Sequence, residues 1–145
     1  MKTILVGVDG SPGADKAVEF AAREAAAHGA VVRLLAAWEV PASVLSGGGV
    51  PLELYKNFEA EAQSLLTAAA ARVRELEPSV QVEQRTAEGH AGNALVDATA
   101  DADLVVIGRR GHGGFTELLL GSISHQVADH SKCPVVIVPW EKGRD

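Results

Sequence analysis

The residues best placed to do chemistry lie between an apolar run and the start of a helix. Residues 108–124 read GRRGHGGFTELLLGSIS. Gly108, Gly111, Gly121 and Ser122 stand in the pattern G-x2-G-x9-G-[S/T]. Glycine lets a backbone approach a ligand closely and adopt positive φ. A helix start adds unpaired N–H groups and a partial positive charge. Together these receive an anion, and a phosphate chain is the natural guest. Arg109 and Arg110 interrupt the glycines and bring charge suited to phosphate. Ser122 is expected to cap the following helix while its hydroxyl faces the phosphates, with Ser124 as a weaker candidate. His112 reads as an exposed loop histidine. Phe115 and Leu118 to Leu120 read as anchors of the loop.

The second chemical residue is Asp9, in an Asp-Gly-Ser-Pro turn after the first apolar run. A carboxylate there can accept from a ribose hydroxyl or help hold a metal carried by phosphates. It can equally serve the turn itself. Other chemistries are absent: no G-x4-G-K-[S/T], no G-x-G-x-x-G after the first strand, and no G-x-S-x-G. No paired carboxylates flank the glycines to organise metal-dependent phosphoryl transfer; Asp9 and Glu117 are the near ones. The site is equipped to hold a nucleotide more than to turn it over quickly.

The elements that must position these residues alternate. Residues 3–8 form a continuous apolar run, as expected of a strand covered on both faces. Ser11 and Pro12 suit a helix start, Val18, Ala21, Ala22 and Ala25 recur at helical spacing, and Gly29 ends that helix. Residues 31–38 are a second strand, interrupted by Arg33. Residues 39–51, EVPASVLSGGGVP, read as a long mobile loop, either a lid or a tolerated insertion. Phe58, Ala62, Leu65, Ala69, Val73 and Leu76 mark a helix that ends before Pro78. Residues 80–86 alternate like a half-exposed edge strand. A short helix over 90–100, a strand over 104–107, a helix over 122–130 and a strand between Pro134 and Pro139 complete the chain. The order β-α-β-α-β-α-β-α-β predicts an α/β parallel sheet with helices on both faces. With the first strand central, Asp9 and Gly108 lie side by side where the strand order reverses, the usual ligand position in such sheets. The backbone of Ala36 and Ala37 then meets the base.

Composition narrows the class. The 145 residues suit one domain, and the 47% hydrophobic content with only 4% aromatics predicts an aliphatic, alanine-rich core. A formal charge of −6 argues against a nucleic-acid partner. One cysteine, Cys133, excludes an internal disulfide. No leader pattern or membrane-spanning run is expected, so the chain reads as cytoplasmic. The last strand is continuously apolar, yet the topology sets it at a sheet edge. Pairing of Val135–Val138 with the same strand of a second copy, as a homodimer, would cover it.

Nearly the whole length resembles the universal stress protein family, in its single-domain ATP-binding branch. The resemblance rests on ILVGVDGS at 4–11, LVVIGRRGHGGF at 104–115, LLLGSIS at 118–124 and CPVVIVP at 133–139. It implies one domain over 1–145 and an open five-stranded parallel sheet in order 3-2-1-4-5, Rossmann-like and of the adenine nucleotide alpha hydrolase-like kind. It implies that Asp9 and backbone near Ala37 meet ribose and base. It places Gly108, Arg109, Gly111, Gly121, Ser122, Ile123 and Ser124 around the phosphates. Val8 and Ile107, at the strand ends, join the candidate nucleotide-binding residues. Arg109 departs from the small residue many relatives carry. The implied ligand is ATP, with Mg2+ where phosphates carry it; some relatives bind cyclic AMP instead. The implied role is regulation in stress response or dormancy, through a homodimer, with slow ATP hydrolysis as an alternative. No protein partner is implied.

Overall fold

Four of the apolar stretches become strands that share one parallel sheet with the half-polar fifth. In the computed structural model, which describes residues 1–109 and 120–140, the strands are β1 (Thr3–Gly7), β2 (Val31–Trp38), β3 (Val82–Glu88), β4 (Leu104–Gly108) and β5 (Val135–Val138). Their order is β3-β2-β1-β4-β5, and every neighbouring pair is parallel. The helices are α1 (Pro12–His28), α2 (Ala42–Leu45), α3 (Leu52–Leu76), α4 (Ala91–Ala98) and α5 (Ser122–His130), with a 3-10 turn at Thr99–Asp101.

Side-chain alternation divides the core into two layers. Ile4, Val6, Val32, Leu34 and Val106 face α1 and α3. Leu5, Leu35, Val105 and Ile107 face the other way, against Leu95 of α4 and Val127 of α5. Alanines let the helices sit close: Ala17, Ala21, Ala22 and Ala25 of α1 and Ala62, Ala69 and Ala70 of α3 are all buried. Larger aliphatics supply most of the driving force, about 1.5–3 kcal/mol for each fully buried side chain.

Helix α1 follows its sequence signals. Ser11 is its N-cap and accepts from Ala14 N at 3.2 Å, Pro12 opens it, and Gly29 closes it at φ 67°. Elsewhere boundaries move. The long loop contains α2, a single helical turn with no buried residue. Helix α3 begins at Leu52, ahead of the periodic face that starts at Phe58. Its extra first turns carry little buried apolar surface, so hydrophobic spacing did not mark them. Tyr55 in those turns meets Trp38 edge-on, with ring centroids 6.1 Å apart. Trp38 is thus a packing residue. Strand β3 runs over 82–88 and not 80–86, because its register follows β2 out to Trp38. The expected cap by Ser122 is corrected. Gly121 is the N-cap of α5 without a side-chain bond, and Ser122 is the exposed first helical residue.

Arg33 is buried among apolar neighbours because acids meet it there. Its Nε donates to Glu83 Oε2 at 2.9 Å and its NH1 to Asp101 Oδ1 at 3.1 Å. A buried cation without such partners would be strongly unfavourable. The pair ties edge strand β3 to the turn before β4.

Two testable consequences follow from these contacts. Asp103 Oδ2 accepts from the backbone N–H of Lys2 at 2.8 Å and of Thr3 at 2.9 Å. Those bonds, Lys2 first, hold its carboxyl below the ordinary 3.8. A folded value below the unfolded one stabilises the protein above about pH 4, and the contribution is lost as pH falls through the folded value. Asp103→Asn should therefore be less stable than the parent in urea melts at neutral pH, with the gap closing toward about pH 3. Gly108 rests directly on α1: a Cβ there would lie 2.6 Å from the Gly13 carbonyl carbon and 2.7 Å from its oxygen. Gly108→Ala should destabilise by about 1–3 kcal/mol in the same melts, as overpacking against rigid backbone does.

Candidate functional site

The strand order reverses between β1 and β4, since β1 leads on to β2 at one side while β4 and β5 lie at the other. At the carboxyl ends of these two strands the helices part, leaving a cleft open to solvent. Its inner wall is apolar, formed by Leu35, Ala37, Leu95 and Ile107. Its rim is polar and backbone-rich, formed by Asp9, Ser11, Gly108 and Ser124.

Helix starts converge on this rim. Ser11 and Ala14 bring the N-terminus of α1, Ala91 that of α4, and Ile123 and Ser124 that of α5. Each helix start carries about half a positive charge, spread over N–H groups with no partner inside the helix. Gly121 leaves the α5 start without a side-chain cap. The N-cap of α4 is His90, whose Nδ1 accepts from Gly92 N at 3.2 Å.

Asp9 combines the two roles its sequence context suggested. Its Oδ1 accepts from Ser11 N at 2.9 Å and so shapes the turn into α1. Its Oδ2 has no hydrogen bond among the described residues and stands at the cleft, where it can accept from a hydroxyl pair. Asp9 is also the one carboxylate among the described lining residues. No group of three or more potential metal ligands occurs among the described residues. Asp9 with phosphate oxygens is therefore the donor set into which a magnesium ion would fit, since such sites rely on one or two carboxylates plus phosphates.

The remaining polar contacts hold the rim in place. Ser124 is buried, and its hydroxyl donates to the Gly108 carbonyl at 2.6 Å. Arg109 N donates to Val138 O at 3.0 Å, and Gly121 N donates to Arg109 O at 2.8 Å. The chain thus leaves β4 and returns to α5 through one backbone clip.

The structure brings Val8, Asp9, Ala37, Ile107, Gly108, Ile123 and Ser124 together in the cleft wall. Arg109, Gly121 and Ser122 stand at the clip and are not among the lining residues. Gly111, Arg110 and His112 lie outside the described residues. Sequence reasoning found Ala37 and Ile107 of the inner wall and missed Leu35 and Leu95. Leu35 was legible by parity, two residues before Ala37 on the same strand. Ser11 was read only as a cap. Ala91 and Leu95 needed the placement of α4 over the strand ends.

Comparison with known proteins agrees with this architecture. The family model described as "Universal stress protein family" matches residues 1–139. A universal stress protein of Mycolicibacterium smegmatis is 33% identical over 137 residues, covering 93% of this chain and 45% of that protein. The chain spans about half the length of the curated relatives it matches. A solved structure of a universal stress protein in complex with cAMP is 29% identical, with a TM-score of 0.73 and coverage of 94% of this chain and 96% of that one. A universal stress protein structure from Archaeoglobus fulgidus is 26% identical, with a TM-score of 0.71 and coverage of 95% and 93%. With the sheet order, the cleft at its reversal and a match over nearly the whole length in agreement, the chain belongs to the universal stress protein family.

Proposed function

We propose that this chain binds an adenine nucleotide in the cleft between β1 and β4, with ATP the preferred ligand, and acts as a nucleotide-dependent regulatory module. One observation carries the reading: an apolar slot and an uncommitted carboxylate oxygen share a cleft onto which helix N-termini converge. The slot formed by Leu35, Ala37 and Leu95 suits a flat base. Asp9 Oδ2 suits the ribose hydroxyls, or a magnesium ion arriving with the phosphates. The uncapped start of α5, at Gly121 and Ser122, suits the phosphate chain, with Gly108, Gly111 and Arg109 beside it. Gly111 enters on the sequence pattern alone.

A second reading is favoured by the relative solved in complex with cAMP. A cyclic phosphate needs the base slot and a single anion site, and it leaves the ribose without a free 3′-hydroxyl for Asp9. The two nucleotides therefore make different demands on that carboxylate. The described lining offers Asp9 as its only carboxylate and no histidine or lysine, which favours holding over rapid turnover. Slow hydrolysis would appear as phosphate release abolished by Asp9→Ala with binding retained. The stress-related role and the cytoplasmic setting belong to this proposal; among the described residues no helix is long and apolar enough to cross a membrane.

The homodimer belongs here too. β5 is an edge strand whose residues are all half-buried. Pro134 and Val138 turn their carbonyls inward to β4, so alternation turns the polar backbone of Val135 and Ile137 outward, available to a second copy.

Calorimetric titration of nucleotide-free protein with ATP and with cyclic AMP tests the first part. The expected result is binding of ATP with one site per chain. Asp9→Asn keeps an acceptor for Ser11 N and should weaken ATP by about tenfold, the scale of a hydrogen bond to a charged group. Gly121→Val should abolish ATP binding with the circular dichroism spectrum unchanged. Normal ATP affinity in Gly121→Val would sink the reading, and selective uptake of cyclic AMP would replace it with the second. For the dimer, Ile137→Pro removes one outward N–H, and sedimentation velocity should then show loss of a dimer that the parent forms.

A further inference from the structure

The opposite edge of the sheet carries a groove that the nucleotide reading does not use. β3 pairs with β2 on one side only. Val32 N donates to Gln81 O at 2.9 Å, and Gly89 N donates to Trp38 O at 2.8 Å. Alternation between these bonds turns the backbone N–H and C=O of Val82, Gln84, Thr86 and Glu88 outward, where no strand meets them among the described residues. Between β3 and α4 runs a groove open to solvent. Its floor is small and apolar, with Leu35, Ala87, Ala94 and Ala98.

The charges of the groove do not cancel. Arg33 and Arg85 face Glu83 and Asp101, with contacts from 2.9 to 4.0 Å. That quartet is balanced, two against two. Asp97 also lines the groove; it is exposed and has no ion-pair partner among the described residues, whereas Glu88 pairs with Trp38 and shares its α3 face. The quartet spares no cation for Asp97. The groove therefore presents an uncompensated carboxylate beside an open row of backbone donors and acceptors.

We propose that the β3 edge and this groove receive an extended, basic segment of a partner protein, added as a sixth strand beside β3. Main-chain bonds to Gln84 and Thr86 supply affinity, as in other strand additions. A lysine or arginine side chain lies over the alanine floor with its charged end at Asp97; such side chains bury their stems and keep their heads polar. A second copy of this chain is the poorer occupant: it would bring the same acidic groove, on a chain of formal charge −6, to meet its own image. The groove lies across α4 from the nucleotide cleft, since Ala91 and Leu95 line the cleft while Asn93, Ala94 and Asp97 line the groove.

Fluorescence anisotropy with the full chain tests this. The probe is a capped, fluorescein-labelled peptide of alternating lysine and threonine; its counterpart carries glutamate in place of lysine. The lysine peptide should bind, and the glutamate peptide should bind at least about tenfold more weakly. Thr86→Pro removes one outward N–H and leaves the bonds to β2, so it should weaken the lysine peptide about tenfold with circular dichroism unchanged. The variant Asp97→Asn should do the same and flatten the salt dependence. That variant alters an exposed group only, so it decides the matter if Thr86→Pro fails to fold. No binding of the lysine peptide, equal binding of both peptides, or binding indifferent to the charge variant would overturn the proposal. So would a sedimentation mass that halves in Thr86→Pro, which would put a second copy on this edge.

Discussion

The site depends on a strand residue that has no side chain. Gly108 lies so close to Gly13 that a Cβ would overlap the carbonyl of α1's first turn. That contact sets the start of α1 against the end of β4, and with it the Asp9 turn against the cleft. The carbonyl of the same glycine receives the Ser124 hydroxyl, which sets the start of α5. Across the reversal, β1 also ends in glycine. A Cβ at Gly7 would come within 2.9 Å of Leu95, so α4 closes on the sheet from the opposite face. Leu95 is the end of a flexible side chain and can give way, whereas backbone at Gly13 cannot. Gly108 is therefore the stricter of the two constraints.

The sheet was legible because its residues obey the rule for buried parallel strands. β1, β2, β4 and β5 are nearly unbroken aliphatic runs, and the helices between them recur at helical spacing. Arg33 was the anomaly in β2. Its explanation lies fifty residues away at Glu83 and further on at Asp101, pairings no local pattern announces. Boundaries failed where burial stops directing them. The first turns of α3 leave Leu52 mostly exposed, and α2 buries nothing. The rim of the site was legible through glycine spacing and Asp9. Leu35 and Leu95 of its inner wall were not, because leucine at core spacing looks the same whether it lines a cleft or fills a core. Ser122 misled for a related reason. Serine before a helix reads as a cap, yet the glycine preceding it already holds the extended backbone that an N-cap requires.

For an acidic chain to take an anion, as proposed, there must be a local cause. The formal charge of −6 is spread over the surface, and salt screens such charges beyond about 8–10 Å. The helix starts act at contact distance, inside a cleft walled by aliphatic side chains, where screening is weaker. Asp9 is the opposing charge, and it sits at the start of α1. One oxygen is held by Ser11 N, so the carboxylate stays in the α1 turn.

The same helix-end argument separates the two faces of α4. Its N-terminus, at Ala91, is turned to the cleft, where an anion is stabilised. Asp97 sits in its last turn and Asp101 in the 3-10 turn that follows, at the end where a helix is partially negative. A carboxylate there is opposed by the helix itself. Arg33 relieves Asp101. Asp97 has no such partner among the described residues, and it faces an open groove. A cation brought to that groove would relieve the carboxylate and the helix end together. One short helix therefore separates a face that favours anions from a face that favours cations. Leu95 packs that helix onto β1 at Gly7, beside the Asp9 turn.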